Sequence, residues 1–198
     1  MRVDVRHNFG DVAKRLGQLA DDVRDKALAR TLNKVAQSAA AYAATRMADE
    51  FNVTKREARS KIRIYLASRK AGEHYLESVI FVESAKRGRG LNLIRFVKGA
   101  RSRGGRGRRQ LKFQIKRNGS AKAIPGAFIG NDGRTVFIRQ GKSRLPIEAL
   151  TTIDFAQMFN AAGRKPGAAN VKGMTIQYIE RRLPIVLEQE IKFVTRSR

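Results

Sequence analysis

From Leu28 to Tyr42, apolar residues return at three- and four-residue steps: Leu28, Leu32, Val35, Ala39 and Tyr42. That is the helical period, and it lays an apolar stripe along one side of a long helix. Ala36, Ala40, Ala43 and Ala44 thicken the stripe with side chains small enough for a second element to approach closely. Asp21 and Asp22 suit the amino terminus of this helix, where the macrodipole favours negative charge. A run to about Glu50 would span roughly 40 Å at about 1.5 Å per residue. Before it, Asn8 or Asp11 can cap a first short helix ending near Gly17. After it, Thr54, Lys55, Arg56 and Glu57 form a capping-box pattern that starts a third, short helix.

Past Ile62 the period changes to two. Tyr75–Val82 is rich in Tyr, Val, Ile and Phe and reads as a strand, with Leu91–Val97 as a second. Gln110–Arg117 alternates, placing Leu111, Phe113 and Ile115 on one face and Lys112, Gln114 and Lys116 on the other. Asn118-Gly119 is a turn signal, and Asn131-Asp132-Gly133 is another between Ala127–Gly130 and Thr135–Arg139. Half-buried antiparallel strands fit these alternations. Helical spacing returns after a loop-like stretch, Gly163–Gly173, with Ile176, Ile179, Leu183, Val186, Leu187, Ile191 and Val194. Pro184 interrupts that run, which predicts a kink or two abutting helices. The order helix, sheet, helix specifies an α+β fold: long amino-terminal helices packed on a small antiparallel sheet, with a carboxy-terminal helix. The expected organisation is a single domain over residues 1–198 with a basic loop or hairpin insertion at 86–109.

The net charge is +25, from 42 Lys or Arg against 17 Asp or Glu. Such a chain seeks polyanions. The excess is uneven: Lys86–Arg117 holds 13 basic residues and no acidic one, whereas Met1–Ala85 holds 16 and 11. Within it, Arg101, Arg103, Arg106, Arg108 and Arg109 occupy five of nine positions, with small residues between. Composition of this kind cannot bury a core, and guanidinium forks suit the paired oxygens of phosphate. The competing reading is a solubilising hairpin tip. No aromatic residue interleaves the run, so a nucleic acid would be held by its backbone and not read by its bases.

Other chemistry is poorly provided for. With no cysteine, disulfides, thiolate metal sites and a cysteine nucleophile are excluded. His7 has Asp4 and Asp11 at helical steps, but His7 and His74 are read as surface histidines, and no metal or cofactor is expected. Gly104-Gly105-Arg106-Gly107 lacks the Lys-Ser/Thr of a phosphate loop, and no carboxylate pair is singled out, so no enzyme activity is expected. The first twenty residues do not form a signal peptide, and no stretch approaches the length of a membrane span. Pro125 and Gly126 predict a sharp bend, after which Phe128 would bury its ring beneath the sheet.

Ala123–Ile129, followed by Arg134, Thr135, Val136, Phe137 and Arg139, resembles the minor tail protein Z family of long-tailed (lambda-like) phages. Leu28–Ser38 is similar to that family's amino-terminal helix. Arg144-Leu145-Pro146-Ile147 and Arg181-Arg182-Leu183-Pro184 resemble its later landmarks, in the same order. The likeness runs from about Ala27 to Ile191. It implies a structural virion protein, made in the host cytoplasm, that completes the head-proximal end of the tail at the neck. The implied partners are further copies of itself in a hexameric ring, the tail terminator, tail tube or neck proteins, and double-stranded DNA through its phosphates, with no membrane. The resemblance marks Pro125, Gly126, Phe128, Pro146 and Pro184 as structural landmarks.

Two other classes fit the composition. A ribosome-associated RNA-binding protein would share the arginine-glycine run, but Met1–Ala85 carries a net charge of only +5. A nuclease would need carboxylates or histidines in the sheet region, where Lys86–Arg117 has none.

Overall fold

The structure is a computed structural model that describes residues 17, 21–67, 76–85, 90–98, 110–161 and 170–196. Its longest element is α1 (Asp21–Glu50), followed by α2 (Lys55–Ser60), whose Thr54 side chain caps the backbone N–H of Glu57 while Glu57 returns the bond to Thr54. The expected first short helix lies outside the described residues. Among the described residues ten short strands follow: β1 (Ile62–Tyr65), β2 (Val79–Val82), β3 (Leu91–Asn92), β4 (Val97–Lys98), β5 (Lys112–Phe113), β6 (Lys122–Ala123), β7 (Phe128–Gly130), β8 (Thr135–Arg139), β9 (Ile147–Ala149) and β10 (Thr151–Thr152). Helices α3 (Phe155–Asn160) and α4 (Val171–Arg196) end the described chain. The fold is α+β, with a long first helix, small antiparallel sheets and a carboxy-terminal helix.

The strands form four small antiparallel sheets, ordered β1-β2, β10-β3, β4-β5-β6 and β7-β8-β9. The alternation at Leu91–Val97 does not make one strand. Leu93–Phe96 instead winds into a 3-10 turn, because Leu93 and Phe96, three apart, both enter the core and the Asn92 side chain accepts the Ile94 N–H. Gln110–Arg117 pairs as a strand only at Lys112–Phe113. Beyond it Gln114 is buried, not exposed as alternation predicts, since its Nε2 donates to the carbonyls of Arg117 and Gly119 and holds the Asn118-Gly119 turn. The same segment closes the end of α1: Arg117 N–H donates to the Glu50 carbonyl and Asn52 N–H to the Ile115 carbonyl, each at 2.8 Å.

The core lies between α1, α4 and the strands. The buried face of α1 is Ala27, Thr31, Val35, Ala36, Ala39, Ala40, Ala43, Ala44, Met47 and Ala48. The alanines are therefore its centre and not its margin, while Leu28, Leu32 and Tyr42 sit half-buried at its flanks. Small side chains let α4 run close alongside, burying Thr175, Ile179, Leu183, Val186 and Leu187. Helix α4 starts earlier than the expected loop end: Asn170 Oδ1 caps the Gly173 N–H at 2.7 Å. It also runs through Pro184 as one helix, so of the two expected outcomes, a kink or two abutting helices, the second is not formed. The turn at Asn131, Asp132 and Gly133 forms as expected, all three with positive φ, between β7 and β8.

Candidate interaction surface

Several of the described carboxylates hold the fold together. Asp154 caps α3 through Gln157 and also accepts the Ser84 hydroxyl at 2.7 Å and the Ala85 N–H at 2.9 Å. Burial alone would raise its pKa, but these hydrogen bonds outweigh burial and the carboxyl titrates below its ordinary value. Glu190, on the buried side of α4, receives Arg30 and Lys34 from α1. Burial again works upward, the two cations work downward, and the net shift is down. Asp25, Asp49, Glu50, Glu57 and Glu83 each lie beside a cation of the same chain: Arg24, Arg46, Lys116, Arg95 and the pair Arg63 and Lys61. The Asp154–Gln157 box is local, but the contacts of Asp154 with Ser84 and Ala85 and of Glu190 with Arg30 and Lys34 depend on which distant segments meet and are not legible in the sequence.

Two further features bear on chemistry. A cavity of about 200 Å³ is lined by Arg46, Asp49, Glu50, Lys116, Asn118, Gly119 and Met174, but its two cations already face its two carboxylates. Among the described residues no three His, Asp or Glu side chains gather as a metal would require. His7 and His74 lie outside those residues.

Charge on the sheet half is different in kind. Between Gln110 and Ala149 there are eight basic residues and two acidic ones, Asp132 and Glu148, and all ten are exposed. Each strand of the β4-β5-β6 sheet carries one exposed lysine: Lys98, Lys112 and Lys122. Lys98 stands directly opposite Lys112. None of the three is in an ion pair with a described residue. In sequence, the run holding Arg101, Arg103, Arg106, Arg108 and Arg109 joins Lys98 to Lys112, and those five arginines lie outside the described residues. Of the segment expected as an insertion, residues 90–98 are described, and their Leu93 and Phe96 are core residues.

A second feature is the β8–β9 hairpin. Every residue from Arg139 to Ala149 is exposed, including Leu145 at 67% and Ile147 at 40%.

A family model described as prophage minor tail protein Z (GPZ) matches residues 11–197 of the 198. The chain belongs to the prophage minor tail protein Z family. As a member it is a structural component of a phage tail and hence of the virion. No curated protein and no solved structure matches it. Among the described residues no helix is long and apolar enough to cross a membrane.

Within this minor tail protein the landmark residues take distinct places. Pro125 and Gly126 occupy the middle of a tight turn, with Gly126 at φ 78° and the Ala127 N–H returning to the Ile124 carbonyl at 3.3 Å. That φ is the left-handed one a type II turn requires at its third position, which glycine meets without strain. Phe128 is half-buried, short of the full burial expected of it. The fully buried residue of this sheet is Val136; Phe128 lies instead on the face where Phe137, directly across the pair, meets it at 6.0 Å and Arg139 covers it at 5.2 Å. Pro146 follows a cis peptide bond at the hairpin end, and its carbonyl accepts the Gln140 N–H at 3.3 Å. Pro184 is half-buried in mid-helix.

Proposed function

We propose that this minor tail protein completes the head-proximal end of the phage tail and joins it to the head at the neck, as a homo-oligomeric ring of six copies. The observation that carries the reading is the family match across 11–197. The structure supports a scaffolding role in two ways. Asp154 and Glu57 are engaged in helix caps, and Asp25, Asp49, Glu50, Glu57, Glu83 and Glu190 in ion pairs within the chain. Its β8–β9 hairpin offers an outer strand, β9, with one side unpaired by any described strand, and with exposed Ile147 on it and exposed Leu145 just before it. A neighbouring copy or another tail protein can pair with such an edge.

The test is electron cryo-microscopy of tails assembled with and without this protein, together with native mass measurement. Tails lacking it should reach normal length, lose density at the head-proximal end and fail to join heads. A chain that stays monomeric both alone and within assembled tails would overturn the ring. Normal joining without it would overturn the placement.

A further inference from the structure

We propose that Asn118 is a site of spontaneous deamidation, and that the buried Gln114 side chain sets its rate by holding the turn around it closed. The site depends on this turn and not on a place in the tail, so its failure would leave that placement untouched.

The chain has eight asparagines, and Asn118 is the one followed by glycine. Gly119 has no Cβ to hinder the approach of its main-chain nitrogen to the Asn118 side chain. That nitrogen, once its proton has passed to a base in solvent, attacks the Asn118 amide carbon. A C–N bond forms, the side-chain nitrogen leaves as ammonia, and a cyclic imide joins the two residues. Water then opens the ring at either carbonyl, leaving aspartate or isoaspartate. In sum, amide and water become carboxylate and ammonium, with water as the co-reactant.

The structure exposes the reactant and restrains it. Asn118 is exposed, so water and base reach it. Attack requires the Asn118–Gly119 peptide to rotate until its nitrogen meets the side chain. Three hydrogen bonds oppose that rotation. The Gly119 N–H closes the turn on the Lys116 carbonyl at 3.1 Å. Gln114 Nε2 donates to the carbonyls of Arg117 and Gly119, each at 2.8 Å. Gln114 is only 9% exposed and is itself fixed. Its own N–H donates to the Phe96 carbonyl at 2.8 Å, and its carbonyl accepts from Asn52 Nδ2 at 2.7 Å. One side chain therefore grips the main chain on both sides of Asn118. The turn must open before the nitrogen can attack, so the rate follows the open population. If Gln114 did no more than satisfy its own buried amide, its loss would leave that rate alone.

The product differs from the native chain in two ways. Asn118 shares a cavity with Asp49 and Glu50, and a carboxylate in its place adds a third negative charge there. Isoaspartate also lengthens the main chain of a turn whose Arg117 N–H closes the end of α1 on the Glu50 carbonyl. Converted chains should melt at a lower temperature than unconverted ones.

The test holds the full chain at mildly alkaline pH and follows every asparagine by peptide mapping with mass spectrometry. In urea Asn118 should convert fastest of the eight, and in the folded chain several-fold more slowly. Gln114→Met keeps the side-chain bulk without its donors and should restore much of the lost rate at Asn118. Asn131, exposed in another turn and followed by Asp132, should not respond to that variant. Circular dichroism confirms folding. Should Gln114→Met unfold, Gln114→Asn, too short to reach both carbonyls, should act in the same direction. Equal rates at Asn118 in the folded and urea-treated chain would overturn the proposal. So would another asparagine converting faster in urea, a folded Gln114 variant with the native rate, or a rise shared by all eight positions.

Discussion

Glu190 on α4 accepts a hydrogen bond from Arg30 on α1, Nε to Oε2 at 2.6 Å, across 160 positions of sequence. The carboxylate side chain is 4% exposed, while Arg30 is 40% exposed and stacks over the Phe193 ring at 4.6 Å. Lys34 holds the other oxygen. Removing both cations by Arg30→Ala/Lys34→Ala should leave a buried charge without compensation and cost about 3–5 kcal/mol. Either single replacement should cost less, because one cation remains. Urea unfolding followed by circular dichroism measures both.

Acid should weaken the protein through the same group and through Asp154. Both carboxyls titrate below their ordinary values of 4.5 and 3.8 in the folded chain. A depressed folded pKa means that the unfolded chain takes up protons first as pH falls. The stabilisation is therefore complete above the ordinary values and drains away as pH drops from them through the folded ones. Urea midpoints measured from neutral pH downward should fall more steeply for the native sequence than for Glu190→Gln/Asp154→Asn.

Gly90 leaves no room for a side chain. A Cβ placed there would stand 1.3 Å from the Thr152 carbonyl oxygen, at the point where β3 meets β10. Gly90→Ala should thus push those strands apart, at a cost of about 1–3 kcal/mol. The melting temperature should fall by roughly 2–4 °C for each kcal/mol lost. Gly141→Ala, with nothing within 4 Å, is the matched control and should change little.

Phe128→Ala should cost about half of the 3–5 kcal/mol typical of a fully buried phenylalanine, because the ring is only half-buried. Arg139 loses the ring beneath it in this variant. Double replacement of Phe128 and Arg139 should then cost less than the sum of the single ones, as a thermal melt of each variant will show.

The parts of the fold that a reader of the sequence can find are those set by neighbours along the chain. The capping box at Thr54 and Glu57 spans three residues, and the turn at Asn131–Gly133 names its own backbone angles, so both are visible in advance. The centre of the α1 face is not. Leu28, Leu32 and Tyr42 carry more apolar surface than Ala39 or Ala43, and only the close approach of α4 turns the order round. Gln114 reads as the polar half of an alternation until the carbonyls of Arg117 and Gly119 fold back over it. The charge count located Lys86–Arg117 as the basic segment, but that Lys98 faces Lys112 is a fact of register, and composition carries no register.

The pairing of α1 with α4 has a consequence during synthesis. The alanine face of α1 is complete once Glu50 has been made, yet the helix that covers it begins only at Val171. At typical elongation rates that interval lasts on the order of 10 s. Throughout it the nascent chain holds a long helix with an uncovered apolar side, open to chaperones and to other nascent copies. Ribosome pausing between Glu50 and Val171 should lengthen that exposure, and any truncation before α4 should release a chain that is degraded or aggregates before it can assemble.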